Sequence, residues 1–259
     1  MADLCRIALV LEYDGSLFAG WQVQPRARTV QGEVQKALEQ VMGMPVKVYG
    51  AGRTDAGAHA LGQVAAFTAP YRYPPAVVQR ALNARLSPDI RVVGAYTVPL
   101  DFDPRRHALR RQYRYLVWNR REPSPFWRRF SFHYPHPLDL PAMARAATLL
   151  EGTRDFASFA APAGRRRTVR TVSRVAVTAK GPLLALTVEG DAFLPGQVRR
   201  MGGVLLAVGA GRLTLEGVQA LLDNPRPNSA GPALPPHGLF LTRIHYPDFP
   251  PQEETPCPR

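Results

Sequence analysis

Period-two and period-3.6 runs of apolar residues alternate along this chain in one order, and that order narrows the available folds more than any single residue does. Ile7, Leu9, Leu11 and Tyr13 alternate with Ala8, Val10 and Glu12, which predicts a strand. Thr29 is placed to cap a helix to about Met42, because Val30, Val34, Ala37, Leu38, Val41 and Met42 recur at three to four residues. Strands are expected at 46–49 and 63–68, a helix opened by Pro74 and Pro75, and a strand from Ile90 to Val98. The order is βαββαβ, with helices on one face of an antiparallel sheet and the other face free.

Residues 101–108 carry no periodicity, and the theme then repeats. Residues 112–118 read as a strand, Asp139 to Leu150 as a helix capped by Gly152, and 168–179 with 183–190 as a hairpin turning at Lys180-Gly181-Pro182. Helices at about 194–208 and 214–222 and a strand at about 239–245 follow. The expected organisation is an N-terminal half (1–104), a C-terminal half (105–247) and a Pro- and Glu-rich tail (248–259) that frays. The expected class is α+β: two ferredoxin-like (RRM-like) halves whose mostly antiparallel sheets join into a curved platform with a central basic cleft.

Between the strands at 46–49 and 63–68 lies Gly50-Ala51-Gly52-Arg53-Thr54-Asp55-Ala56-Gly57-Ala58-His59-Ala60-Leu61-Gly62-Gln63-Val64. Its glycines permit positive φ or a close approach of another chain, as a simple turn would also require. No Gly-Lys-Ser/Thr follows, so it is not a P-loop, and no Gly-x-Gly-x-x-Gly opens a helix, so it is not a dinucleotide fingerprint. Asp55 and His59 are four apart, but a zinc site here would be short of ligands. A lone carboxylate with Arg53 and Thr54 beside it fits a nucleophile or a general acid/base. No cofactor and no metal are expected.

Gly-Arg-Thr-Asp-Ala-Gly-x-His-x-x-Gly-Gln-Val resembles the active-site signature of the tRNA pseudouridine synthase I (TruA) family. Glu12-Tyr13-Asp14-Gly15-Ser16-x-Phe18-x-Gly20-Trp21-Gln22 resembles that family's first strand and loop. Arg111-Gln112-Tyr113-Arg114-Tyr115 and Phe193-Leu194-x-x-x-Val198-Arg199 agree, so the resemblance spans roughly residues 5–246. It implies isomerisation of uridine to pseudouridine at tRNA positions 38, 39 and 40, in the anticodon stem-loop, by a homodimer. It also implies Asp55 as nucleophile, Arg199 as its partner and Tyr113 as the residue packing on the base and handling the C5 proton. Arg53, His59 and Gln63, which fall within the signature, are expected to bind substrate. Pro195-Gly196-Gln197 departs from the family's more usual His-rich spacer.

The charge balance points to nucleic acid or an anionic membrane surface as partner, and the arginine clusters shift it toward RNA. A formal charge of +13 does not serve a fold, and 30 of the 33 basic residues are arginine, whose forked donors suit phosphate. A GC-rich genome enriches arginine too, but not net charge. Arginines cluster where loops would border a groove: Arg26 and Arg28, Arg105 and Arg106, Arg110 and Arg111, Arg128 and Arg129, Arg165, Arg166 and Arg167, and Arg199 and Arg200. Phe18, Trp21, Tyr113 and Tyr115 are candidates to stack on flipped bases.

A non-catalytic RNA-binding module of the RRM kind would share sheet and charge but carry an aromatic Arg/Lys-Gly-Phe/Tyr-Gly/Ala-Phe strand, which is missing. A metal-dependent nuclease would want clustered acids, and Asp55 stands alone in its loop. Two cysteines near opposite ends, Cys5 and Cys257, and the lack of a long apolar run lead to the expectation of a soluble, cytoplasmic protein without disulfides.

Overall fold

The computed structural model describes residues 4–70, 73–162, 167–247 and 249. The N-terminal half runs β1 (Leu4–Tyr13), α1 (Val30–Met42), β2 (Tyr49–Gly50), β3 (His59–Pro70), α2 (Pro75–Asn83) and β4 (Ile90–Val98). Thr29 caps α1 by accepting from the Gly32 N–H at 3.3 Å, and Gly43 ends it at φ 68°. The apolar stripe of α1 then buries Val30, Val34, Leu38 and Met42 against the sheet. α2 stops at Asn83 although its apolar spacing continues to Leu86.

The C-terminal half runs β5 (Arg110–Trp118), β6 (Phe132–His133), α3 (Leu140–Leu149), β7 (Gly152–Asp155), β8 (Val169–Lys180), β9 (Leu183–Gly190), α4 (Gln197–Gly209), α5 (Leu215–Asp223) and β10 (Leu239–His245). Asp139 and Thr214 cap α3 and α5 through the N–H groups of Ala142 and Gly217. Gly152, read from sequence as a helix cap, takes φ 105° but opens β7, and Leu150 closes α3. Where the Pro195-Gly196-Gln197 spacer departs from the family pattern, Gly196 turns at φ 73° and α4 starts only at Gln197.

All ten strands form one sheet in the order β4-β1-β3-β10-β5-β9-β8-β7, with β2 on β3 and β6 on β5. The pairing is antiparallel except for β3–β10 and β5–β6. β1 lies between β3 and β4 and is buried on both faces at Ile7, Ala8 and Leu9, so the strict alternation expected of a half-exposed strand is lost. The last strand, β10, pairs with β3 at Phe240↔His59 and Leu241↔Ala60 and with β5 at Leu241↔Tyr113, bridging the two halves.

That junction positions the loop 51–58. β1 occupies one edge of β3, while the other edge serves β2 at Ala65 and Ala66 and β10 at His59 and Ala60. The loop joining β2 to β3 therefore leaves the sheet where the halves meet. Ala60, Leu241, Tyr113 and Val188 form one cross-strand row, which puts Tyr113 two strands, about 10 Å, from the loop's exit. Phe249, inside the stretch expected to fray, packs against Tyr96, Phe102 and Tyr246, and the rest of 248–259 lies outside the described residues.

Candidate active site

Asp55 lines a cleft of about 1260 Å³ between the halves. That exceeds the roughly 300–1,000 Å³ of a small-molecule pocket and suits a larger ligand. Seven cations line it (Lys47, Arg53, Arg105, Arg106, Arg111, Arg170 and Arg199), against two carboxylates, Asp55 and Asp103. The lining is therefore strongly positive.

Two sequence motifs far apart in the chain build the loop together. The Trp21 N–H donates to the Thr54 carbonyl and the Gly57 N–H to the Phe18 carbonyl, both at 3.2 Å. Tyr13 and Thr54 join their hydroxyls at 2.8 Å. Gly57 takes φ 78°, a conformation other residues rarely adopt, and a Cβ on Gly50 would lie 2.4 Å from the Trp21 indole nitrogen. The 12–22 motif is thus the bed on which the Asp55 loop rests.

Arg199, in the first turn of α4, meets Asp55 with Nε at 3.0 Å and a terminal nitrogen at 2.8 Å, and both contacts fall on Oδ2. Its other terminal nitrogen donates to the Leu234 carbonyl at 2.8 Å, which fixes the guanidinium plane. Among the described residues nothing hydrogen-bonds Oδ1 of Asp55. Asp55 is just over a third exposed and lines the cleft.

Tyr113 lines the cleft with its ring edge-on to Phe193 at 5.3 Å. Burial pushes its hydroxyl up to about 12, with Arg111 opposing the shift and Asp55 adding to it. The phenol is therefore protonated at neutral pH. Arg111 spends its terminal nitrogens on backbone carbonyls: Asp191 at 2.5 Å, Arg105 at 2.7 Å and Ala51 at 3.2 Å. It ties the Asp55 loop to the linker and to the turn before α4 rather than standing free for phosphate.

The remaining sequence-selected residues divide by place. Arg53 is exposed on the cleft wall. His59 and Gln63 are buried beneath the loop: His59 accepts from the Gly15 N–H at 3.0 Å, and Gln63 donates to the Gly52 carbonyl at 2.9 Å. Burial pushes the His59 pKa down against the pull of Asp14, so the ring is neutral, with Nε2 facing the His237 carbonyl at 3.2 Å. Trp21, Phe18 and Tyr115, read from sequence as stacking platforms, are 2%, 4% and 0% exposed. Trp21 backs onto Gly50, the Arg28 guanidinium covers Phe18, and Tyr115 donates to the Pro235 carbonyl. All three are buried and engaged; Trp21 still borders the cleft, as does Tyr113, which is the most exposed of the four at 8%.

Arg26 is exposed and is not part of the cleft lining, and Arg28 pairs with Asp89 at 3.3 Å. Arg165 and Arg166 lie outside the described residues, and Arg167 is exposed. Sequence reasoning did not single out Lys47, Arg170 or the Leu234 carbonyl. Arg170 comes from a strand with no local signature, and a backbone carbonyl leaves none.

Four tyrosines, the buried Tyr13, Tyr113 and Tyr115 and the half-buried Tyr246, have their pKa values raised, in each case chiefly by desolvation. The unfolded chain releases these protons near pH 10, whereas the native state keeps them longer. Stability is thus complete below about pH 10 and falls as pH rises toward the folded values, by about 1.4 kcal/mol per pH unit for each tyrosine still protonated. Denaturant titrations at rising pH check this, together with phenolate absorbance. Full titration of all nine tyrosines in the folded protein near pH 10 would contradict it.

Comparison with known proteins shows the family. A family model described as tRNA pseudouridine synthase matches residues 9–105 and 146–247. The chain belongs to the tRNA pseudouridine synthase family. It is 43% identical to tRNA pseudouridine synthase A of Myxococcus xanthus over 95% of this chain and 94% of that one. The enzyme of the same name from Moorella thermoacetica is 44% identical over 93% and 99% of the two chains, and that from Thermosipho melanesiensis 42% over 92% and 98%. No helix among the described residues is long and apolar enough to cross a membrane.

Proposed function

We propose that the protein isomerises uridine to pseudouridine in tRNA, at positions 38, 39 and 40 of the anticodon stem-loop, with Asp55 as nucleophile. The observation that carries this is the pair in which two Arg199 nitrogens hold one oxygen of Asp55, a residue lining a basic cleft, and leave the other oxygen without a hydrogen bond among the described residues. The reaction breaks the C1′–N1 bond, forms C1′–C5, loses the C5 proton to solvent and gains a proton at N1, so it needs a nucleophile and proton traffic but no redox partner. Oδ1 of Asp55 is the attacking atom, and Arg199 aims it. The Tyr113 ring packs on the target base, and its protonated hydroxyl accepts the C5 proton only as it passes its own proton on.

Arg53, Arg105, Arg106, Arg170 and Lys47 bind phosphates of the strand that enters the cleft. Arg26, Arg165, Arg166 and Arg167 supply further phosphate contacts, while His59 and Gln63 serve from beneath the loop. Each half is ferredoxin-like: β4-β1-β3-β2 and β10-β5-β9-β8 show the same 4-1-3-2 strand order. The enzyme works in the cytoplasm as a homodimer in which the second subunit grips the part of the tRNA that one cleft is too short to hold.

The test is tritium release from tRNA labelled at C5 of uridine. Transcripts with uridine at 38, 39 or 40 should release label, and one with cytidine at all three should not. Binding without release would make the protein an RNA-binding module instead.

A further inference from the structure

Gly50, Gly57 and Gly62 are required by the fold: a Cβ would strike the Trp21 ring at Gly50 and the Thr242 carbonyl at 2.6 Å at Gly62, and Gly57 has φ 78°. Gly52 is not. Its φ is outside the positive range, and the nearest atom a Cβ would meet is the Tyr113 hydroxyl, at 3.8 Å, an ordinary van der Waals distance. The free protein has room for a methyl there, so the missing side chain answers to something that enters the cleft.

The Tyr113 hydroxyl is itself unlike the other three phenols. Tyr13 bonds Thr54 at 2.8 Å, Tyr115 the Pro235 carbonyl at 2.8 Å and Tyr246 the Pro104 carbonyl at 2.5 Å. Among the described residues no such bond ties the hydroxyl of Tyr113. It faces a half-buried glycine on the wall of the cleft.

We infer that Gly52 is a positioning residue whose lack of a side chain keeps one flank of the Tyr113 hydroxyl open, so that the phenol reaches C5 of the target base and exchanges its proton. The inference rests on the function proposed above. A methyl at this point leaves phosphate contacts and the Asp55–Arg199 pair in place but screens the hydroxyl from base and solvent, and so acts on the proton step alone.

The experiment uses the full chain with Gly52→Ala. Its melting temperature should equal or exceed that of the parent, since alanine at a negative φ restricts the unfolded chain. tRNA affinity should stay within about threefold, and the single-turnover rate should fall about tenfold or more. The deuterium isotope effect with C5-deuterated uridine should rise, because proton removal becomes slower relative to the other steps. In a Tyr113→Phe background the same substitution should add little, since the hydroxyl it screens is already gone.

An unchanged rate, a loss confined to binding, an additive loss on Tyr113→Phe, or a lowered melting temperature would each overturn the inference. If the parent enzyme released no tritium, the proposed reaction itself would fail, which is a separate result.

Discussion

Asp55→Asn should abolish turnover while leaving tRNA binding within a few-fold. The amide keeps the shape of the side chain and, through its oxygen, a hydrogen bond to Arg199, but it is no nucleophile. The expected loss is at least about 10⁴-fold in the single-turnover rate, the scale on which removing a covalent catalyst reduces an enzyme to its binding contributions. Binding survives because the cations lining the cleft do not depend on Asp55. A rate within a hundredfold of the parent would remove Asp55 from the nucleophile's role, and a parallel collapse of affinity would make it a folding or binding residue.

Arg199→Ala should also be damaging, by a smaller factor and for a different reason. The guanidinium holds Oδ2 with two donors and is itself held by the Leu234 carbonyl, so its removal frees a half-exposed carboxylate to rotate. Misplacing a reacting atom by about 1 Å costs on the order of a hundredfold, and that is the expected drop in rate. Arg199→Lys keeps the charge but not the fork and should recover only a small part of it. Single-turnover measurements at saturating enzyme separate this from any change in affinity. A lysine variant with full activity would reduce the pair to simple charge neutralisation.

The elements were largely legible because their periods and caps are local. Thr29, Asp139 and Thr214 each cap the helix that their spacing predicts, and the hairpin turns at Gly181-Pro182 between β8 and β9. Their arrangement was less so. Nothing in residues 239–245 says that this strand lies in the middle of the sheet between β3 and β5, because strand neighbours are chosen by packing across the whole chain.

The site divides in the same way. Asp55, Tyr113 and Arg199 were marked by motif, and the structure brings them to one cleft. The same motifs also contain residues that serve the backbone. Trp21 and His59 look like contacts in a sequence, but one backs onto a glycine and the other caps the Gly15 N–H. Arg111 was grouped with the phosphate-seeking arginines, yet its donors are taken by carbonyls, which no composition argument sees. Burial separates those roles, and burial is a property of the folded chain.

The most direct test is to incubate unmodified tRNA transcript with the parent enzyme and with Asp55→Asn, digest it to nucleosides, and quantify pseudouridine. Parent enzyme should convert uridines at 38, 39 and 40 to pseudouridine with the total of the two nucleosides constant, and Asp55→Asn should leave the transcript unchanged. Pseudouridine formed equally by both proteins, or by neither, would contradict Asp55 as the nucleophile of a uridine isomerase.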